Sequence, residues 1–266
     1  MKLLSTTLAC FLLLAAQLSA RPESHFKLTT GQMTEDEYAR WLEELHDLHA
    51  DGSTYAGLYH GHNFFTMFKP SATCPMQRYP PGNVDGGKYV CSPEKFPKGC
   101  VIYSIGSEGN YLFEAALSKF GCEIHTFDCF GDYGGNAPQG TTFHKWCVGG
   151  RDYTDGAGRV FLTIPTMMSR LGHHRVDYLK MDVEGGEYFA VPQLLALPKE
   201  RRPIQLGLEI HPISSFWEQR THATMRATTE LMLTIDDLGY RLVSREDNYQ
   251  AKCCSEFVYI LPDALP

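Results

Sequence analysis

Val101-Ile102-Tyr103-Ser104-Ile105, followed at once by Gly106-Ser107-Glu108-Gly109, decides how this chain is read. A short apolar, β-branched run that stops at glycine and leads into a helical stretch, 111–120, opens a strand–turn–helix unit. Glycine at that turn lets the backbone bend tightly and approach a ligand, and the helix N-terminus beyond it favours an anionic group. Only Gly106-x-x-Gly109 is present, not a full G-x-G-x-x-G, so the loop by itself is also readable as a plain turn.

The pattern repeats downstream. Glu123–Phe127 reads as a second strand ending at Asp128, 143–148 as a third, and 176–181 as a fourth. A short helix is expected over 166–171, another to about residue 197, and a longer one over 216–238 that ends near Gly239. Gln205–Ile210 is a further strand, and 241–244 and 257–261 flank a polar turn at Asp247-Asn248 as a hairpin would. Five strands separated by helices and closed by a hairpin indicate an α/β fold, a mostly parallel sheet with helices on both faces. In such sheets ligands bind outside the carboxyl ends of the strands, near the switch in strand order.

Towards the N-terminus, Lys2 precedes an uncharged run over 3–18, and Leu18-Ser19-Ala20 then leads to Arg21-Pro22-Glu23-Ser24. This is the pattern of a secretory signal peptide over 1–20, with an uncleaved signal-anchor as the alternative. No other stretch approaches about 18 apolar residues, so no membrane span is expected after cleavage. Thr34-x-x-Glu37 is a capping box ahead of Tyr38, Trp41, Leu42, Leu45 and Leu48 at helical spacing. Residues 50–99 are rich in Gly, Pro and aromatics with little periodicity. The chain thus divides into a leader (1–20), an ordered leading segment (21–99) and the α/β domain (100–266).

Among the 266 residues, 31 Asp and Glu outnumber 24 Lys and Arg, a balance that excludes a nucleic-acid binder relying on a general positive field. Hydrophobic residues at 43% exclude wholesale disorder. Loss of Cys10 with the leader leaves eight of the nine cysteines, an even number that favours disulfides in an oxidising compartment. One bridge is expected among Cys74, Cys91 and Cys100, stapling the leading segment to the core. The adjacent Cys253 and Cys254 are expected to look elsewhere than to each other. The absence of paired C-x-x-C spacing argues against a structural zinc site.

Three strand ends carry chemistry. Asp128 lies nineteen residues beyond Gly109, where an acidic side chain accepts ribose hydroxyls in nucleotide-binding α/β folds; the plainer alternative is a cap on the next turn. In Lys180-Met181-Asp182-Val183-Glu184-Gly185-Gly186-Glu187, a strand continued through Glu184 would put Lys180, Asp182 and Glu184 on one face. Asp182 or Glu184 can then orient a cofactor amine, act as a base or bind a divalent metal, unless they simply pair with Lys180. Glu209 and His211, two apart at the next strand end, suit base catalysis or, with Asp182, metal ligation. His60, His62, His125, His144, His173 and His174 read as structural or surface residues.

These residues carry a resemblance. Cys74-Pro75, Asp85-Gly86-Gly87-Lys88-Tyr89-Val90-Cys91, 101–107, 122–128, Leu179-Lys180-Met181-Asp182-Val183-Glu184-Gly185 and Leu208-Glu209-Ile210-His211 resemble the FkbM-related, methyltransferase-like family over roughly 71–261. The Lys-x-Asp-x-Glu-Gly block is the most distinctive part. The resemblance implies a class I, Rossmann-like fold with a seven-stranded sheet and S-adenosylmethionine as cofactor. It implies that Gly106, Ser107, Gly109, Asp128 and Asp182 bind the cofactor, and that Asp182, Glu184, Glu209 and His211 are the catalytic or substrate-positioning groups, with no metal assigned. The expected reaction is O-methylation of a small-molecule, carbohydrate or lipid hydroxyl in the secretory pathway. The alternatives are a non-catalytic secreted binding protein that keeps the fold, and a metal-dependent hydrolase using Asp182, Glu209 and His211.

Overall fold

The structure, a computed structural model, describes Phe65 and residues 68–211, 213–214, 221–222, 225–247 and 254–264. The expected leader, the helix after Thr34, His60, His62 and Cys253 lie outside these residues. The leading segment, where the sequence shows little periodicity, contains a hairpin of β1 (Met76–Tyr79) and β2 (Lys88–Cys91). Four-residue strands are too short to announce themselves by alternation. The expected bridge among Cys74, Cys91 and Cys100 is Cys74–Cys91, which closes this hairpin.

The strands β3 (Val101–Ile105) and β4 (Glu123–Phe127) are connected through helix α1 (Leu112–Leu117). β5 (Thr141–His144), β6 (Trp146–Val148), β7 (Tyr153–Thr154), β8 (Val160–Leu162) and helix α2 (Ile164–Leu171) follow. Next come β9 (Tyr178–Met181), the single turn α3 (Glu187–Ala190), β10 (Gln205–Ile210), and the two-residue pair β11 (Ile213–Ser214) and β12 (Thr221–His222). Helix α4 (Met225–Asp237), β13 (Arg241–Asp247) and β14 (Ser255–Ile260) close the chain.

Seven strands form one sheet in the order β13-β14-β10-β9-β3-β4-β5. The five inner-to-edge strands β10, β9, β3, β4 and β5 run parallel, and β14 and β13 are antiparallel to their neighbours. This is the mostly parallel sheet with a C-terminal hairpin that the alternating pattern predicts. On one face, Met167 and Met168 of α2 and Leu231, Met232 and Ile235 of α4 bury against Leu179, Met181, Leu206 and Leu208. On the other, Phe113 and Leu117 of α1 cover Ile102, Ile124 and Tyr178. Each such side chain removed from water contributes about 1.5–3 kcal/mol.

Three expectations need correction. The third strand, 143–148, breaks at Lys145: β5 joins the main sheet through Phe127↔His144, whereas β6 pairs with β8 in a separate three-stranded sheet. Periodicity reports that a segment is extended, not which partner it takes. The long helix begins at Met225 rather than near 216, and Thr221–His222 instead pairs with Ile213–Ser214. The fourth strand ends at Met181, so Lys180, Asp182 and Glu184 do not share a pleated face.

Two further bridges, Cys100–Cys122 and Cys129–Cys147, tie the starts of β3 and β4 and then link the end of β4 to β6. Six of the nine cysteines are therefore structural, compatible with a secreted or lumenal protein. Among the described residues, no helix is long and apolar enough to cross a membrane.

Candidate active site

The chain leaves β3 for β4 and β5 on one side and returns to β9 and β10 on the other, so strand order reverses between β3 and β9. The loops after β3, β4, β9 and β10 meet there around a cavity of about 360 Å³. Gly106, Ser107, Asp128, Asp182, Glu184, Glu209 and His211 all line it. Gly109 does not. It sits under Tyr133, whose ring would lie 2.9 Å from a β-carbon placed there.

The β3 loop is held tightly. Gly106 has φ of +81°, and a β-carbon on it would meet the Asp182 carbonyl oxygen at 1.7 Å, so the loops after β3 and β9 touch backbone to backbone. The buried ammonium of Lys180 donates to the Gly106 carbonyl at 2.9 Å. Asp128 accepts the backbone N–H groups of Ser107 at 3.2 Å, Glu108 at 2.9 Å and Phe130 at 3.0 Å. The cap reading of Asp128 is thus realised, and the same carboxylate also faces the cavity lining.

The β9 loop is shaped by Glu187, a wholly buried carboxylate that accepts the N–H groups of Val183 and Gly185, each at 2.9 Å. That capture, with Glu184 at φ +53°, turns the chain out of the sheet after Met181 and ends the strand where alternation would have continued it. Glu187 also meets His211 Nδ1 at 3.3 Å. The other ring nitrogen, Nε2, lies 3.9 Å from Asp182, 3.8 Å from Glu184 and 3.7 Å from Glu209. The other three residues expected to be catalytic are therefore gathered around the His211 imidazole.

A fifth group arrives from the leading hairpin. Gln205 on β10 exchanges two 2.9 Å hydrogen bonds with the backbone of Cys91, and the Tyr178 hydroxyl donates to the Tyr89 carbonyl at 2.8 Å. These contacts lay β2 across the sheet and bury Lys88, whose ammonium lies 3.6 Å from Asp182, 3.2 Å from Glu209 and in contact with Glu256. Glu209 and Glu256 are directly opposite in the antiparallel β10–β14 register. Two carboxylates so placed repel unless a cation or a proton sits between them.

Protons and Lys88 supply that compensation. Burial disfavours the charge on Lys88, yet Glu256, Asp182 and Glu209 outweigh it and hold the ammonium far above its ordinary value. Burial pushes Glu256 up to about 8 despite Lys88. Burial likewise raises Asp182. Glu209 goes the other way: against burial, Lys88, His211 and a hydrogen bond from Cys254 hold it well below the usual carboxylate range. Burial opposes a charged His211 too, but Glu187, Asp182 and Glu209 lift it to about 10. At neutral pH the site therefore holds an imidazolium and an ammonium facing ionised Glu209. Asp182, Glu184 and His211, and separately Glu209, His211 and Cys254, bring donor atoms within 4.8 Å of one another, spacing compatible with a divalent cation.

A family model described as a methyltransferase domain matches residues 37–261, most of the chain. The chain belongs to this methyltransferase-domain family. Among curated relatives, probable methyltransferase-like protein 24 of Rattus norvegicus is 24% identical over 196 residues, covering 62% of this chain and 53% of the relative. The Homo sapiens protein of the same name is 27% identical over 139 residues, covering 46% and 37%. The chain thus spans about half or less of the length of the curated relatives it matches. Among solved structures, it is similar to a Methanococcus jannaschii fibrillarin pre-rRNA processing protein (TM-score 0.42, 10% identity, 70% of this chain and 82% of that one). It is also similar to Aeropyrum pernix fibrillarin in complex with S-adenosyl-L-methionine (TM-score 0.41, 14% identity, 70% and 85%).

In this family member, Lys88, Glu187 and Glu256 belong to the candidate site without having been singled out from the sequence. Lys88 stands in a glycine-rich stretch with no periodicity. Glu187 closes the Asp-Val-Glu-Gly-Gly-Glu run, and its role as acceptor for two loop N–H groups depends on the turn it creates. Glu256 enters only through its cross-strand pairing with Glu209.

Proposed function

We propose that the chain is an S-adenosylmethionine-dependent methyltransferase acting on a hydroxyl acceptor of a small molecule, carbohydrate or lipid in the secretory pathway. The observation that carries the reading is the cavity at the strand switch, lined by the Gly106–Ser107 loop, by Asp128 and by the Asp182–His211 cluster. Ligands of 300–1,000 Å³ sites are bound at such switch points. Gly106 lines this cavity, and its missing β-carbon is what lets the loops after β3 and β9 close together at the strand switch. S-adenosylmethionine would supply an electrophilic methyl group on its sulfonium.

The residues divide as follows in this reading. Asp128 has given three of about four lone-pair positions to backbone N–H groups, leaving one for a ribose hydroxyl. Ser107 and Gly106 line the same cavity, and Gly109 contributes by letting Tyr133 close over the loop. Asp182, whose carboxyl is raised above its ordinary value by burial, serves as the base for the acceptor hydroxyl. His211, an imidazolium at neutral pH, serves as a donor that orients the acceptor, assisted by Glu184 and Glu209. Aligning the nucleophile with the methyl group supplies much of the acceleration in such a transfer. The three disulfides and the charge-free run after Lys2 support a lumenal or secreted site of action.

Calorimetry on the purified, oxidised chain tests this. S-adenosylmethionine and S-adenosylhomocysteine are expected to bind with one-to-one stoichiometry, and Asp128→Ala to weaken both at least tenfold. A folded chain that binds neither rejects the reading and leaves the binding-protein alternative. Hydrolysis dependent on a divalent metal and on His211 would favour the hydrolase.

A further inference from the structure

A second cluster of ligating side chains lies away from the cavity, at the opposite end of β4. Glu123 and His125 are two apart on that strand and so share a face. Helix α2 ends at Gly172 in the left-handed conformation (φ +73°), and the His173 N–H returns to the Met168 carbonyl at 2.9 Å, which swings the His173 side chain over the same patch. Glu123 Oε1 lies 2.8 Å from His125 Nε2 and 3.4 Å from His173 Nε2, and all three ligand atoms fall within 4.8 Å of one another. Asp128, at the cavity, is five residues beyond Glu123 and three beyond His125, about 16 Å and about 10 Å along the strand at the usual rise.

We propose that Glu123, His125 and His173 form a binding site for a single divalent transition-metal ion, with zinc the best match, and with solvent as its fourth ligand. The donor set is the borderline combination of two imidazoles and one carboxylate that suits zinc. At metal–ligand distances of about 2.0–2.2 Å, tetrahedral donors stand about 3.3–3.5 Å apart. The Glu123–His173 spacing already meets that value, and the Glu123–His125 pair needs only a small opening.

The arrangement behind the ligands is the stronger argument. Histidine ligands are ordinarily oriented through their second ring nitrogen. Here His125 Nδ1 faces His144 Nε2 at 2.8 Å, and His173 Nδ1 faces the Tyr103 hydroxyl at 2.7 Å. His144 stacks on His125 at 25° with ring centroids 5.1 Å apart, and Tyr103 pairs with His125 across β3 and β4. Both Nε2 atoms are thereby aimed at one carboxylate from rings that are themselves packed. The His125 and His173 side chains are only 6% and 10% exposed, whereas Glu123 is 56% exposed. The site is thus walled by protein on one side and open to an arriving ion and a water on the other. A bound ion would tie β4, which Asp128 follows, to the segment leading into β9, which Asp182 follows.

The test uses the full, oxidised chain without a polyhistidine tag, stripped by chelator and titrated with Zn²⁺ by calorimetry. One equivalent is expected to bind, with affinity reduced at least tenfold in Glu123→Gln and in His173→Gln. A rise in Tm on adding Zn²⁺ is expected in the unaltered chain and not in those variants. Co²⁺ in place of Zn²⁺ is expected to give the intense visible absorption of a four-coordinate ion. A folded chain, judged by circular dichroism, that takes up no Zn²⁺ overturns the proposal. So does uptake that survives both variants and disappears in His211→Gln, because the ion would then occupy the catalytic cluster.

Discussion

A β-carbon on Gly106 would stand 1.7 Å from the carbonyl oxygen of Asp182. The glycine loop and the acidic loop are in backbone contact, so the proposed cofactor-binding and catalytic loops share one wall of the cavity. Gly106→Ala must both adopt φ +81° and push that wall apart. The expected result is a loss of stability on the order of 3 kcal/mol or more in urea unfolding, together with loss of cofactor binding in whatever remains folded. An alanine variant with unaltered stability and binding would show that the contact is not tight.

Lys88 is the cation on which three carboxylates depend. Lys88→Met keeps the length of the side chain and removes the charge, leaving Asp182, Glu209 and Glu256 to repel one another in a buried setting. Breaking such a set by removing one partner costs about 3–5 kcal/mol. Denaturant titration should show the larger loss at pH 8 than at pH 5, because the carboxyls can take up protons in place of the ammonium. Equal losses at the two values would assign Lys88 a packing role only.

The pH dependence of stability has a definite sign. Folded His211 keeps its proton up to about 10, whereas the unfolded residue releases it near 6.5. Between those values the folded chain binds more protons, so stability falls as pH rises. Glu256, raised from 4.5 to about 8, adds a fall of the same sign at lower pH. Glu209, depressed in the folded chain, contributes stability above its unfolded value that is lost on acidification. Above pH 8 the His211 contribution should be separable: His211→Gln is expected to flatten the decline between about 8 and about 10 relative to the unaltered chain. Parallel declines in the two proteins would show that His211 is not charged when folded.

Cys100–Cys122 spans 22 residues and joins the starts of β3 and β4, the strands whose far ends carry Gly106 and Asp128. Closing a loop of that length restricts the unfolded chain by about 3 kcal/mol. Replacing both cysteines with alanine should lower the unfolding free energy by about that amount while leaving the affinity for S-adenosylmethionine within a few-fold. A large loss of affinity instead would mean that the bridge also sets the spacing of the two loops.

The parallel strands and the residues at their ends were legible because each is encoded locally. Val101–Ile105, Glu123–Phe127 and Gln205–Ile210 are short runs rich in apolar and β-branched residues that stop at glycine, aspartate and histidine, and burial on both sides of a parallel sheet favours such runs. Glu209 and His211 could be placed together for the same reason, since a period of two is a property of the strand itself. The strand end at Met181 was not legible. It depends on Glu187 reaching back to Val183 and Gly185, a hydrogen-bonding choice that alternation does not record.

By itself, then, the sequence determined the class of the fold, the order of its strands along the chain and the residues that stand at their carboxyl ends. Only the tertiary structure decided which charges meet there. Lys88 comes from a hairpin more than ninety positions before Asp182, and Glu256 comes from the last strand. The physical reason is that burial removes water from all of them at once. Each carboxylate must then find a cation or keep a proton, and which of these it does depends on neighbours brought together from distant parts of the chain.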